Sequence, residues 1–304
     1  MHKSVLLNEC LEYLNLKDTS VIVDCTLGYA GHSSEILKRI SKGFLYTFDQ
    51  DGEAITFSEQ KLSSIRDNYE IIRSNFVNLK TELDKRKTEI DGILYDLGVS
   101  SPQLDEDTRG FSFHKSALLD MRMDTDSELD ASKVVNEYSF SDLKRIIRDY
   151  GEENYAVNIA RKIVLYREKK KIETTDELVD IIKSSVPEKY KKLTHPARRT
   201  FMAIRIEVNK ELDVFSSSLK QALELISIGG RICVITFHSL EDRICKNIFK
   251  EATSIDKSLS KLPLIPEHLM PKFELIANII PSDDEIRSNN RSRSARLRVI
   301  ERIR

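Results

Sequence analysis

The chain has 304 residues, enough for one large or two modest domains, and its 40% hydrophobic content excludes a disordered polymer. A net charge of −1 excludes a global field that selects nucleic acid, so any such partner has to meet a local patch. Four scattered cysteines (Cys10, Cys25, Cys233, Cys245) with no C-x-x-C pair argue against a disulfide framework or structural zinc; no metal is expected, and a reducing cytoplasm is the expected home.

The first residues turn acidic too soon for a signal peptide, and no run reaches the roughly 20 apolar residues of a membrane span, so no membrane partner is expected. Residues 4–14 place Leu7, Cys10, Leu11 and Leu14 on one helical stripe. The stretch from Val21 to Leu37 then organises the chain. Val21 to Val23 reads as a buried strand, Gly28 and Gly31 as a loop, and Ser33/Ser34 with Ile36, Leu37 and Ile40 as a helix. Strand, glycine loop and helix bring a nucleotide-like ligand against bare backbone and a helix N-terminus. The spacing is G-x-x-G rather than the dinucleotide G-x-G-x-x-G, and Asp24 ahead of it suits a ligand with a cationic head. Asp49 ends the next strand, Phe44 to Phe48, where an acceptor for ribose hydroxyls is expected. S-adenosylmethionine, a nucleoside with an amino-acid sulfonium tail, satisfies both acids. A nicotinamide-dependent oxidoreductase is the competing reading, and the spacing argues against it.

The rhythm continues with a helix over 51–66, a strand Tyr69–Arg73 followed by Phe76, a helix over 79–87 and a fourth strand over 91–96. Alternation of this kind predicts an open, mostly parallel α/β sheet with its ligand at the carboxyl ends of the strands, where Asp24, Asp49, Phe76 and Asp96 all fall. A capping role would explain any one of them equally well. After the fourth strand, Ser100-Ser101-Pro102-Gln103 occupies the place where amino-group methyltransferases carry a polar residue followed by proline. An exocyclic amine is a poor nucleophile, so a loop that holds it in line with the methyl group does most of the catalysis. A plain serine-proline turn reads as well from this segment alone. Phe111 and Phe113 could add a stacking surface.

Residues 105 to 215 break the rhythm with helical stripes: one capped by Ser141 and stopping at Gly151, one over 153–170, and one behind a capping box at Thr174–Glu177. Its basic end holds His195, read as a turn residue, and Arg198, Arg199 and Arg205, of which Arg198 and Arg205 share a helix face. The sheet resumes at residues 229–237, after which His238 is a candidate orienting or proton-accepting group and Ser239 with Asp242 reads as a helix cap. Residues 254–271 read as a surface loop, and 273–280 with 295–303 as a closing antiparallel pair. Arg287 to Arg304 holds seven arginines against one acid, Glu301. In that last strand Arg296 and Arg298 share a face, predicting contact with phosphates.

The blocks Asp96–Asp105, Arg109–Phe113, Leu119–Asp124, Thr194–Phe201, Arg205–Leu212, Thr236–Arg243 and Asn290–Ala295 together resemble the bacterial small-subunit ribosomal RNA cytosine-N4-methyltransferase family over nearly the whole chain. The resemblance implies a Rossmann-like class I methyltransferase sheet formed by 1–104 and 216–304, with a helical substrate-recognition insertion at 105–215. It implies methyl transfer from S-adenosylmethionine to N4 of a cytidine in the decoding region of 16S rRNA, within the small ribosomal subunit. It also implies cofactor contacts at Ala30, Gly31, His32, Asp49, Phe76, Asp96 and Gln103. The family usually has glycine where this chain has Ala30, which puts the loop geometry in question if that residue needs a positive φ. The basic insertion end becomes an RNA contact under this resemblance, and a homodimer is carried as an open expectation. A non-enzymatic RNA-binding factor on the same fold is the other competing reading, opposed by the retained Asp24, Asp49 and Asp96.

Overall fold

Strands that are apolar on both of their alternating faces need cover on two sides. The computed structural model describes residues 4–98, 109–192, 195–255 and 266–304. The chain divides into two compact units, 1–98 with 212–304 and 99–211. The second junction falls a few residues before 215/216, because the helix that begins at Glu211 already sets Phe215 edge-on to Tyr95 of the sheet.

The first unit is a seven-stranded sheet of β1 (Val21–Asp24), β2 (Phe44–Asp49), β3 (Tyr69–Arg73), β4 (Ile90–Asp96), β5 (Ile226–Thr236), β6 (Phe273–Ile279) and β7 (Arg296–Arg302). Their order is β3-β2-β1-β4-β5-β7-β6, with β1 to β5 parallel and β7 antiparallel to both neighbours. Helices α1 (Leu7–Tyr13), α2 (Gly31–Arg39), α3 (Gly52–Ser63) and α4 (Leu79–Asp84) interleave with its first half. The second unit is helical: α5 (Ala131–Glu137), α6 (Phe140–Asp149), α7 (Ala156–Arg167), α8 (Thr175–Ser185), α9 (Glu188–Lys191) and α10 (Arg198–Asn209). The sheet unit then closes with α11 (Glu211–Leu225), α12 (Ser239–Thr253) and α13 (Asp283–Ser288).

Alternation along the strands sorts the sheet residues into two cores. Ile22, Leu94, Cys233, Ile235, Leu297 and Val299 pack with α1 and α2, whereas Val23, Ile93, Tyr95, Ile232, Val234 and Ile300 pack with α4, α11 and α12. The helical unit has a core of its own around Leu143, Ile146, Ile159, Ile163, Leu178 and Phe201.

Helix ends differ from the expected ones for local reasons. Ser139, not Ser141, caps α6 by accepting from Asp142 N. The helix expected over 153–170 starts only at Ala156, because Glu153 turns inward and accepts from Tyr155 N and the Tyr190 hydroxyl. The capping box of Thr174 and Glu177 is present on α8. Most of the surface loop expected over 254–271 lies outside the described residues.

The arginines of β7 correct an expectation. Arg296 and Arg298 do share a face, opposite Leu297, but α12 covers it. Arg298 is 8% exposed and donates Nε and Nη2 to the two carboxylate oxygens of Asp242, at 2.7 and 3.0 Å. Its charge is spent inside the fold rather than offered to phosphate. Arg296 is half-exposed, 3.7 Å from the same carboxylate and bonded to Asn278. Arg298→Ala should lower unfolding free energy by about 2–3 kcal/mol, since it strands a half-buried carboxylate. Arg296→Ala should cost less than about 1 kcal/mol. Urea unfolding of the two variants checks the ranking, and equal losses would refute it.

Candidate active site

In a doubly wound sheet the ligand crevice lies at the carboxyl ends of the strands where the order reverses, here between β1 and β4. Asp24 and Asp96 end those two strands, Asp49 ends β2, and Phe76 follows β3 at the start of a 3-10 turn. The structure therefore brings together the acids and the aromatic that the sequence picked out.

Each acid has a different task. Asp24 is 1% exposed; one oxygen accepts from Thr26 N at 3.0 Å and the other from the Ser33 hydroxyl at 2.6 Å. It braces the glycine loop against the first turn of α2 from inside, so the expected direct contact with a cationic ligand is replaced by a contact with the loop. Asp49 accepts from Gly28 N at 2.8 Å and Asp51 N at 2.9 Å, and keeps partial exposure. Burial pushes its carboxyl up to about 6, against the pull of those backbone donors.

Asp96 and His32 form a pair, with Nδ1 of the imidazole 3.3 Å from the Asp96 carboxylate. The other ring nitrogen, Nε2, lies 3.1 Å from the Val5 carbonyl, which can only accept, so Nε2 carries a proton. A neutral ring would then turn a bare lone pair toward the carboxylate; a doubly protonated ring satisfies both partners. Burial pulls the His32 pKa down, but the hydrogen bond and charge of Asp96, with Asp24 behind, leave it raised.

Ala30 caps α2 in the left-handed region, with φ 54° and ψ 41°. The methyl group there costs about 1–2 kcal/mol, so this chain tolerates strain at a position where glycine would have none. At Gly31 a Cβ would fall 2.0 Å from the Ser4 hydroxyl, so a side chain there would have to turn that hydroxyl aside.

Two residues of α3 were not legible as site residues. Ser58 donates to the Gly28 carbonyl at 2.7 Å, and Lys61 Nζ donates to the carbonyls of Tyr29 and Ala30 at 3.0 and 3.1 Å. Their i, i+3 spacing puts them on one helix face, but nothing local says that a loop lies under it.

Ser100, Ser101, Pro102 and Gln103 lie outside the described residues. His238 caps α12, a role expected of Ser239 with Asp242: its Nδ1 faces Glu241 N at 3.5 Å, while Glu241 accepts from Phe237 N and His238 N. Its Nε2 sits 3.0 Å from Glu241, buried and off the line of a hydrogen bond. With Nδ1 turned to the cap and Nε2 facing a carboxylate, the ring has no lone pair aimed outward, and the proton-accepting role is withdrawn. In the helical unit Arg198 is exposed and Arg199 donates to the Glu152 carbonyl at 2.5 Å. Arg205 grips Glu211 with two bonds of 2.8 and 2.9 Å, so its expected role as a phosphate hook is also withdrawn. Among the described residues there is no cluster of three or more His, Cys, Asp or Glu able to hold a metal, and no helix long and apolar enough to cross a membrane.

A reversed parallel sheet with an antiparallel β7, a glycine loop after β1 and an acid ending β2 defines a Rossmann-like class I methyltransferase. More narrowly, the chain belongs to the MraW methylase family, whose sequence model matches residues 1–303. It is 51% identical over 306 residues to the ribosomal RNA small subunit methyltransferase H of Exiguobacterium sibiricum, covering 99% of this chain and 98% of that protein. Among solved structures it is similar to an rRNA methylase from Streptococcus thermophilus, at 12% identity and a TM-score of 0.44 over 100% of this chain and 99% of the other. A methyltransferase from Streptococcus mutans in complex with SAH gives 12% identity and 0.44 over 99% of each chain. The cofactor is S-adenosylmethionine, and the site fits it: the Asp49 carboxylate that ends β2 is partly exposed and can accept from ribose hydroxyls.

Two pH effects follow. Hydroxyl donors stabilise ionised Asp49, so cofactor affinity should climb as pH rises to about 6 and level off above it, while Asp49→Asn should bind weakly at every pH. Calorimetry across that range decides; a flat wild-type profile removes Asp49 from the contact. His32 has a raised pKa, so the stability it lends is complete below the ordinary value of 6.5 and is lost as pH rises through the folded value. Unfolding of wild type and His32→Asn at matched pH should lose that slope in the variant only.

Proposed function

We propose that this chain methylates N4 of a cytidine in the decoding region of 16S rRNA, in the cytoplasm and with the RNA presented within the small ribosomal subunit. Membership of the MraW methylase family and the 51% identity to a small-subunit rRNA methyltransferase support the reading as far as the RNA class. The observation that carries the choice of nitrogen is the state of the cysteines.

Methylation at C5 of a pyrimidine requires a thiolate that adds to the ring. All four cysteines are buried, and burial pushes every one of their thiols upward, Cys233 to about 12 and Cys10, Cys25 and Cys245 likewise above their ordinary value. A thiol buried and held protonated in this way is poorly placed to act as that nucleophile, which supports transfer to the amine. Transfer to an exocyclic amine needs no covalent adduct; it needs the amine held in line and its proton released once the new bond has formed. When bound, S-adenosylmethionine supplies the electrophilic methyl group. Asp49 would hold the ribose, the braced Gly28 to Gly31 loop would line the site beside it, and Asp96 with His32 fixes the floor. Phe76 offers an aromatic edge beside the nucleoside, and the loop Ser100–Gln103 is assigned to the target amine, with Gln103 also toward the cofactor.

Incubation with labelled S-adenosylmethionine and unmodified small subunits, followed by nucleoside analysis, tests the proposal. N4-methylcytidine is the expected product, and replacement of each cysteine in turn by alanine should leave its identity unchanged. Recovery of 5-methylcytidine would overturn the assignment.

A further inference from the structure

A cluster of rings lies on the helical unit. Phe113 stacks on His195 with centroids 4.5 Å apart and planes 22° from parallel. The edge of Phe201 meets it at 5.9 Å, and His114 tilts against it at 4.4 Å. His114 is exposed, and Phe113 and His195 are half-buried, so the stack keeps open surface.

The loop that carries Phe113 is built for rigidity. Arg109 donates Nη2 to the carbonyls of Arg122 and Met123, and Arg122 grips Asp120 through Nε and Nη2. Asn209 of α10 clamps the same segment from below, donating to the Met121 carbonyl and accepting from Met123 N. One position that only glycine suits and one strained position allow this. Gly110 has φ +71°, with 2.3 Å between a would-be Cβ and the Leu118 carbonyl, and buried Met121 has φ +59°. A bulky residue in the left-handed region persists only where its surroundings over-determine it, and such strain gathers at ligand clamps. Cations adjoin the rings. Burial lowers the His195 pKa, and the nearby charges of His114, Lys183 and Arg198 lower it further, leaving a neutral ring beside exposed Arg198.

We propose that Phe113 and His195, with His114, form a stacking platform for an unpaired base of the substrate RNA, with Arg198 at the adjoining phosphate. Flat π-faces beside cations fit an unstacked nucleotide, which needs a face for its base and a charge for its backbone. An enzyme that draws a cytidine out of its stack also leaves bases in need of a surface. The inference rests on the RNA-methylation reading and deepens it.

The test titrates the full-length protein with a short single-stranded RNA that carries a fluorescent adenine analogue, alongside cofactor binding and methylation of small subunits. Wild type should quench the analogue. Phe113→Leu and His195→Ala should each weaken binding about tenfold, as loss of one stacked base implies. Phe113→Tyr should bind as wild type, and Arg198→Ala should flatten the salt dependence while keeping the quench. Cofactor affinity should stay the same throughout. Circular dichroism checks that each variant is folded, and His195→Ala carries the test if the Phe113→Leu chain is not. Wild-type RNA affinity in the folded variants, with subunits still methylated, would reduce the cluster to core packing and leave the function standing. Failure of the wild-type protein to bind or methylate RNA would remove the function and the platform together.

Discussion

A carboxylate removed from water must be given hydrogen bonds, and Asp24 at the end of β1 is where that demand shapes the molecule. The Thr26 amide and the Ser33 hydroxyl meet it, and in meeting it they draw the loop and the first turn of α2 over the strand end. The same turn carries His32 inward to Asp96 and Val5, so the ends of β1 and β4 and the segment before α1 are fixed by one patch of buried polar groups. Lys61 and Ser58 then fasten the loop from the side of α3. The loop is thus fixed by its own bonds before any ligand arrives, which lowers the ordering cost of binding there.

Charge is similarly committed elsewhere. With 48 basic and 49 acidic residues the chain has few cations to spare, and its arginines are spent differently. Arg298 and Arg205 each close on a carboxylate with two bonds, whereas Arg198 stays exposed. A basic residue count is therefore a poor map of an RNA surface; what matters is which guanidinium groups lack an acid within the fold.

The sheet was legible because its strands are apolar on both faces and are punctuated by acids at one end. Asp24, Asp49 and Asp96 could be placed from spacing alone, since the βα rhythm fixes which end of a strand a residue occupies. The tasks of those acids were not legible: whether Asp24 faces a ligand or its own loop depends on Ser33, nine residues on, turning back toward it. Strand alternation put Arg296 and Arg298 on one face correctly but could not reveal that Asp242, 56 residues away from Arg298, covers it. His238 was misread because caps are sought among serine, threonine, asparagine and aspartate, and an imidazole with Glu241 three residues on fills the same role. Lys61 left no local signal, because its partners are backbone carbonyls some thirty positions earlier.

The place of β7 has a consequence for how the chain comes off the ribosome. It is the last strand in sequence, yet it lies between β5 and β6 rather than at an edge. Until it arrives, β5 presents an open, apolar border, and Cys233 and Ile235 lack the cover that Leu297 and Val299 give them. The helical unit, by contrast, is complete in one continuous stretch of chain and has its own core. Synthesis from the N-terminus thus leaves a half-finished sheet waiting behind a finished bundle. During that interval the unpaired border is the part of the nascent chain most in need of a chaperone.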